Sequence, residues 1–212
     1  MKAQTNVISL VIIAGMVIAL VGSAYVWAVP LIEKRATVTE YDVVERFMLE
    51  LNEKIVDIAN TGSGTTSLEI PRGVLTVMPH NYPDGIVNNT ISMDFFVSQP
   101  IIMEGSVVPV RTSSLDYVGE YGKTEPRIIT LSRSPGSSQV NLIMNMTYRE
   151  LRSTTPKGYL IALCPATDFV ACDTGMSGRG EVTVSYGETS VVPRNPEDGG
   201  DLTLTKLRIE VT

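Results

Sequence analysis

Residues 7 to 29 read VISLVIIAGMVIALVGSAYVWAV, 23 positions without one charged side chain. Nothing else in the chain limits its folding as strongly. As an α-helix this run is about 35 Å long, enough to cross a hydrocarbon core of about 30 Å. A surface helix of a soluble domain keeps one polar face, and this run has none. The residues therefore point to a membrane helix, with a buried core helix as the alternative. Tyr25 and Trp27 stand at its far end, where interfacial aromatics belong. Gly15, Ala19, Gly22 and Ser23 recur at helical spacing, and such a stripe of small residues lets helix backbones approach closely. The same small residues suit cleavage of a secretory signal near Gly22-Ser23-Ala24 or after Ala28. Charge does not fix orientation, because Lys2 precedes the run while Lys34 and Arg35 follow it.

The helical pattern does not stop at Val29. Tyr41, Val44, Met48, Leu51, Ile55 and Ile58 step by alternating threes and fours, one apolar seam at heptad spacing. Asp42 with Arg46 and Glu50 with Lys54 are i,i+4 pairs in the favourable order. Asn60, Thr61 and Gly62 supply a stop, since Asn and Gly tolerate left-handed backbone. Pro30 lies between the apolar and amphipathic halves and lacks the N–H for a helical bond. One kinked helix is the expectation. Two helices are the alternative, the second opened by a capping box of Thr37 and Glu40.

The start, Met1-Lys2-Ala3-Gln4-Thr5, resembles the short basic leader of archaeal type IV pilins, the class III signal peptides. In that family a charged residue and then Gly or Ala precede the cut. Lys2 and Ala3 match those positions, and Gln4 becomes the new N-terminus. The leader is three residues, shorter than usual. Ile8 stands where bacterial type IV pilins carry Glu at the fifth mature position, a departure that leans archaeal. The resemblance implies an N-in orientation, cleavage by a prepilin peptidase, and handling by pilus assembly machinery. An apolar half followed by an amphipathic half is the layout of a pilin stalk helix, and equally of a single-pass anchor with a helical stem.

From Thr61 to Thr212 the composition shifts: this stretch holds 11 of the 12 prolines and 15 of the 17 glycines, so long helices give way to short strands. Ile91, Met93, Phe95 and Val97 alternate with polar Ser92 and Asp94. Val140, Leu142, Met144, Met146 and Tyr148 do the same, as do Val182, Val184 and Tyr186. Further strands are expected at 68–70, 74–78, 107–110, 127–131, 159–163 and 202–211. The last changes phase near Lys206, and a bulge there would restore one buried face. Eight or nine strands with turn residues between them indicate a β-sandwich or barrel with one core. The expected fold is α+β, a long N-terminal helix followed by an all-β sandwich-like domain. Its parts are a leader (1–3), a stalk helix (4–60) and an extracytoplasmic β-domain (61–212), joined at the flexible-looking TGSGTTS stretch.

Chemistry is sparse. A net charge of −6 and a pI near 4.9 argue against a nucleic-acid binder. One His and two Cys leave little room for a His/Cys metal cluster or a zinc finger. Cys164 and Cys172 lie eight apart in a Pro/Gly/Asp-rich loop, where a disulfide is expected if the region is outside the membrane and free thiols otherwise. Asn88-Asn89-Thr90 and Asn145-Met146-Thr147 are glycosylation sequons. His80, the only histidine, sits in the turn MPHNYP and reads as a loop residue rather than a base. Gly175 to Gly180 reads as a turn, not a phosphate loop. Glu197-Asp198-Gly199-Gly200-Asp201 reads as an acidic hairpin turn, with a calcium loop as the alternative. No nucleophile elbow, Walker loop or His-Glu-x-x-His occurs, so neither an enzyme nor a cofactor is expected.

Three functions fit these residues. The first is a subunit of an archaeal type IV pilus-like filament, anchored in the membrane and then self-associating through its N-terminal helices at the cell surface. The second is a membrane-anchored β-domain that never polymerises and serves binding or envelope attachment. The third is a secreted β-sandwich enzyme, which lacks a visible catalytic constellation.

Overall fold

A computed structural model describes the backbone of residues 2–81, 88–136, 140–195 and 200–212, with side chains from residue 10 onward within those ranges. The fold is α+β, one long helix followed by a β-sandwich-like domain. Helix α1 spans Lys2–Thr61 and continues through Pro30. One lost backbone bond does not outweigh the helix formers on both sides. The second helix opened by a Thr37–Glu40 capping box does not form. Thr37 lies mid-helix and fully buried, and its hydroxyl accepts the Gln99 backbone N–H at 3.0 Å, so a tertiary partner takes the oxygen that would have capped. The helix ends where the sequence says it should. Gly62 adopts φ +65°, and its N–H donates to Ile58 O at 3.1 Å.

Two six-stranded sheets follow. The first runs β1 (Thr65–Glu69), β11 (Glu181–Val192), β12 (Asp201–Val211), β9 (Lys157–Pro165), β8 (Glu150–Arg152), β5 (Val118–Glu120). The second runs β10 (Met176–Gly178), β2 (Val74–Met78), β3 (Thr90–Val97), β7 (Val140–Tyr148), β6 (Arg127–Arg133), β4 (Val107–Pro109). Pairing is antiparallel except for β12 with β9 and β5 with β8. Ile91, Met93 and Phe95 pair across from Met146, Met144 and Leu142, which puts the expected alternation on one inward face.

The helix seam closes this core. Val44, Met48, Leu51, Ile55 and Ile58 are buried together with Phe47, and α1 touches β3 of one sheet and β1, β11 and β12 of the other. Each such side chain contributes roughly 1.5–3 kcal/mol relative to exposure. Residues 44–58 therefore fold as part of the sandwich rather than as a free stem. The pairs Asp42–Arg46 and Glu50–Lys54 do not close among the described residues. Helix carboxylates turn instead to arginines on surrounding loops: Glu40 faces Arg72 at 3.7 Å, and Glu45 hydrogen-bonds Arg111.

Two expectations about the strands are corrected. The bulge is not in β12 at Lys206 but opposite it, in β11, where the register shifts between Tyr186 and Glu188. The extra residue is Gly187, and a Cβ there would lie 2.3 Å from the Phe169 ring. β12 itself pairs with β9 without a break, so its phase change puts Leu207 and Ile209 in the main core and Leu202 and Leu204 on the opposite face. The glycines at 175–180 do not form only a turn. Met176–Gly178 is strand β10, paired with β2. A Cβ on Gly178 would lie 2.6 Å from Val211, so glycine is what lets this strand approach the chain end.

Candidate functional site

Among the described residues, the apolar half of α1 and the groove at its root are two apolar surfaces that the molecule itself does not cover. Leu10, Ile18, Val26 and Trp27 are each about 70% exposed or more, and none of the apolar window is buried in the molecule. This is one helix long and apolar enough to cross a membrane, a candidate anchor or signal sequence. The stripe of Gly15, Ala19, Gly22 and Ser23 is uncovered. A Cβ on Gly15 or Gly22 would meet nothing within 4 Å, and the Ser23 hydroxyl donates back to Ala19 O at 2.8 Å. Lys2, Ala3 and Gln4 begin the helix, and their side chains lie outside the described residues.

Where α1 enters the β-domain, a groove of about 510 Å³ lies between the helix, the β1–β2 turn and β3. Its wall includes Ala36, Thr39 and Val43 on one side, and Pro71, Arg72 and Phe96 on the other. A second cleft continues past Arg72 and Phe96 to Asp94 and Asn141 on the outer face of the second sheet. Burial raises the Asp94 carboxyl above its ordinary value, and contact with Asn141 opposes that rise less strongly. A raised folded value means the folded chain holds this proton more tightly than the unfolded chain. Stability from this group therefore grows as pH falls through the folded value, and at neutral pH the carboxylate is a burden. Asp94→Asn is expected to raise the unfolding temperature at pH 7, with the gain shrinking towards zero near pH 3. A thermal melt series across pH checks this, and an equal shift at every pH would contradict it.

The far end of the sandwich is held by Cys164 and Cys172, which form the expected disulfide. The turn around His80 is laced to it. His80 N–H donates to Leu163 O at 3.1 Å, and Asn81 donates to Cys172 O and Ala171 O, each at 3.1 Å. Burial, followed by the Lys206 charge, lowers the His80 pKa, and no side chain hydrogen-bonds its ring among the described residues. Replacing both cysteines with serine is expected to cost roughly 2–3 kcal/mol, the loop-closure entropy of so short a ring. Urea unfolding of wild type and variant measures this, and equal midpoints would show that the backbone bonds alone hold the loop.

Asn88 is exposed just ahead of β3, while Asn145 is half-buried in the middle of β7. The two sequons meet across strands. The hydroxyls of Thr90 and Thr147 are 2.8 Å apart, and the Asn145 side-chain oxygen accepts from the Ser92 hydroxyl at 2.6 Å. Of the acidic turn, Gly200 and Asp201 are described, with Asp201 opening β12, and residues 197–199 lie outside the described residues. Among the described residues no group of three His, Cys, Asp or Glu could hold a metal.

Sequence reasoning missed two polar anchors. Arg149 is wholly buried and donates to the carbonyls of Glu125, Ser114 and Asp116 at 2.8–3.0 Å, fixing the segments on either side of β5. Asn89 is buried with φ 60° and bridges the two sheets. Both act on distant backbone, so neither leaves a local sequence pattern. No family model, no curated protein and no solved structure matches this chain.

Proposed function

We propose that this chain is a structural subunit of an archaeal type IV pilus-like surface filament. The observation that carries the reading is one uninterrupted helix whose apolar half has no buried residue from Leu10 to Val29, and whose second half is built into the β-domain. An apolar surface of that length needs a lipid or protein environment. The membrane provides it before assembly, and neighbouring helices provide it afterwards. In this mechanism a prepilin peptidase cuts between Ala3 and Gln4. Assembly machinery then draws the helix from the bilayer, and helices bundle through the Gly15, Ala19, Gly22 and Ser23 stripe. The sandwich, closed by the Cys164–Cys172 disulfide, coats the surface, with Asn88 and Asn145 as its sequons. The work is packing rather than catalysis, with no cofactor.

The second reading is a non-polymerising membrane anchor carrying a surface-binding β-domain. The docked amphipathic half favours it equally, since such a helix needs no partner copy to be stable. Mass and N-terminal sequence of the protein from sheared cell-surface material and from membranes separate the two. A chain starting at Gln4 in the sheared fraction is the expected result. An uncut chain confined to membranes would replace the filament reading with the anchor, and a start at Tyr25 or Val29 would mean a cleaved secretory signal.

A further inference from the structure

We propose that the groove at the root of α1 seats the neck of a second copy of this chain, residues 31–35, an inference that rests on the filament reading. The groove and the adjoining cleft form one surface around Arg72 and Phe96. Phe96 is 59% exposed and Val43 47% exposed, both large apolar side chains beside a core that buries their neighbours. The polar atoms on this surface are as telling. Glu40 Oε2, Asp94 Oδ1 and Asn141 Oδ1 are buried acceptors without a donor. All three belong to residues lining this surface, and the other unpaired buried polar atoms among the described residues are arginine nitrogens. Arg72 reaches only Glu40 Oε1, at 3.7 Å, on a side chain 92% exposed, so it marks the rim without filling the site.

An occupant must therefore bring apolar surface and hydrogen-bond donors together, and positive charge suits two of the three acceptors. The neck of the same chain has this composition. Leu31 and Ile32 are exposed apolar residues, and Lys34 and Arg35 follow after Glu33, exposed and without an ion pair among the described residues, while the Glu33 carboxylate is already engaged within its own molecule by the Gln99 side-chain amide, which donates to it at 2.8 Å. The molecule's own neck continues the helix that forms one wall of the groove, so it does not also lie within it. Copies of a chain with net charge −6 repel one another, and a contact between them gains from placing cations against carboxylates. Ile32 meets Phe96 and Val43 in this arrangement, and Lys34 and Arg35 supply donors to Glu40 and Asp94.

The test uses two full-length versions expressed together, one carrying Ile32→Cys and the other Phe96→Cys. Mild oxidation is followed by non-reducing electrophoresis of sheared material and of membranes. Both positions are exposed, and Cys164 and Cys172 are buried in their own disulfide, so the introduced thiols are the ones free to pair, and an epitope tag on one version separates the heterodimer from dimers of like copies. A heterodimer is expected, with none when Val170→Cys, on the disulfide loop, replaces Phe96→Cys. Lys34→Glu with Arg35→Glu is expected to lower its yield about tenfold, the effect of reversing charges at a desolvated contact. Filaments visible by electron microscopy without the heterodimer would overturn the neck contact and leave the filament reading standing. Heterodimer in membranes with no filaments would support the contact and overturn the filament reading. Phe96→Cys shielded from maleimide with no heterodimer would assign the groove to another molecule and overturn the proposal.

Discussion

Filament yield from a Gly15→Leu, Gly22→Leu double variant is expected to fall by about tenfold or more, while the β-domain melts at its wild-type temperature. Neither glycine touches anything in the single molecule, and leucine there meets only open space. The change also keeps the segment apolar, so insertion into a bilayer is not impaired. What it removes is close approach between helix backbones. Two leucines forced into a tight helix contact cost roughly 1–3 kcal/mol each, and 1.4 kcal/mol is a factor of ten. Sheared filament mass per cell and a thermal melt of the purified chain give the two numbers. Normal yield would show that the helices pack without using this stripe. A lowered melting temperature would show that the stripe serves the fold instead.

Asn89→Ala is expected to destabilise the sandwich by about 3–5 kcal/mol. The Asn89 amide nitrogen donates to Ile161 O at 2.6 Å and to Tyr148 O at 3.3 Å, and its side-chain oxygen accepts Leu163 N–H at 2.9 Å. Tyr148 ends β7 in one sheet, while Ile161 and Leu163 belong to β9 in the other. One side chain thus ties the sheets together where their backbones cannot pair. Alanine leaves these buried groups short of partners, at about 1–3 kcal/mol for each group left unsatisfied. It also occupies φ 60° without the local hydrogen bonding that suits asparagine to that region. Asn89→Gly relieves the backbone part alone, so it should fall between wild type and alanine. Urea midpoints of the three proteins order them, and a loss below about 1 kcal/mol for alanine would contradict the bridging role. Residue 89 is the middle of a sequon whose Asn88 and Thr90 are untouched, so the comparison is clean with respect to any glycan.

Periodicity made much of this fold legible, and its blind spots have physical causes. The seam from Tyr41 to Ile58 was readable because burial on one helix face repeats every three or four residues. That repeat identifies a face without saying what covers it, and the cover is the chain's own sandwich. Long strands such as β7 show several alternations. Strands β5, β8 and β10 have three residues each, too few to display a period. The phase change in β12 was visible, but the bulge beside it was not, because it lies at Gly187 on the partner strand. The disulfide was accessible because its cysteines are close in sequence. Asn89, Arg149 and the hydroxyl of Thr37 were not, because each finds its partner more than 20 residues away, in pairings that only the tertiary fold creates. The groove was invisible for the same reason: Val43, Arg72 and Phe96 share no local pattern.

The absence of any break in α1 has a mechanical meaning. A load applied to its apolar end does not meet a compliant joint that stretches first. It passes along a single rod into the span from Val44 to Ile58, which is gripped from both sheets at once. Tension then acts as shear along that span, and successive turns of helix share it instead of yielding one by one. The part of the molecule that anchors the core is also the part that bears the pull.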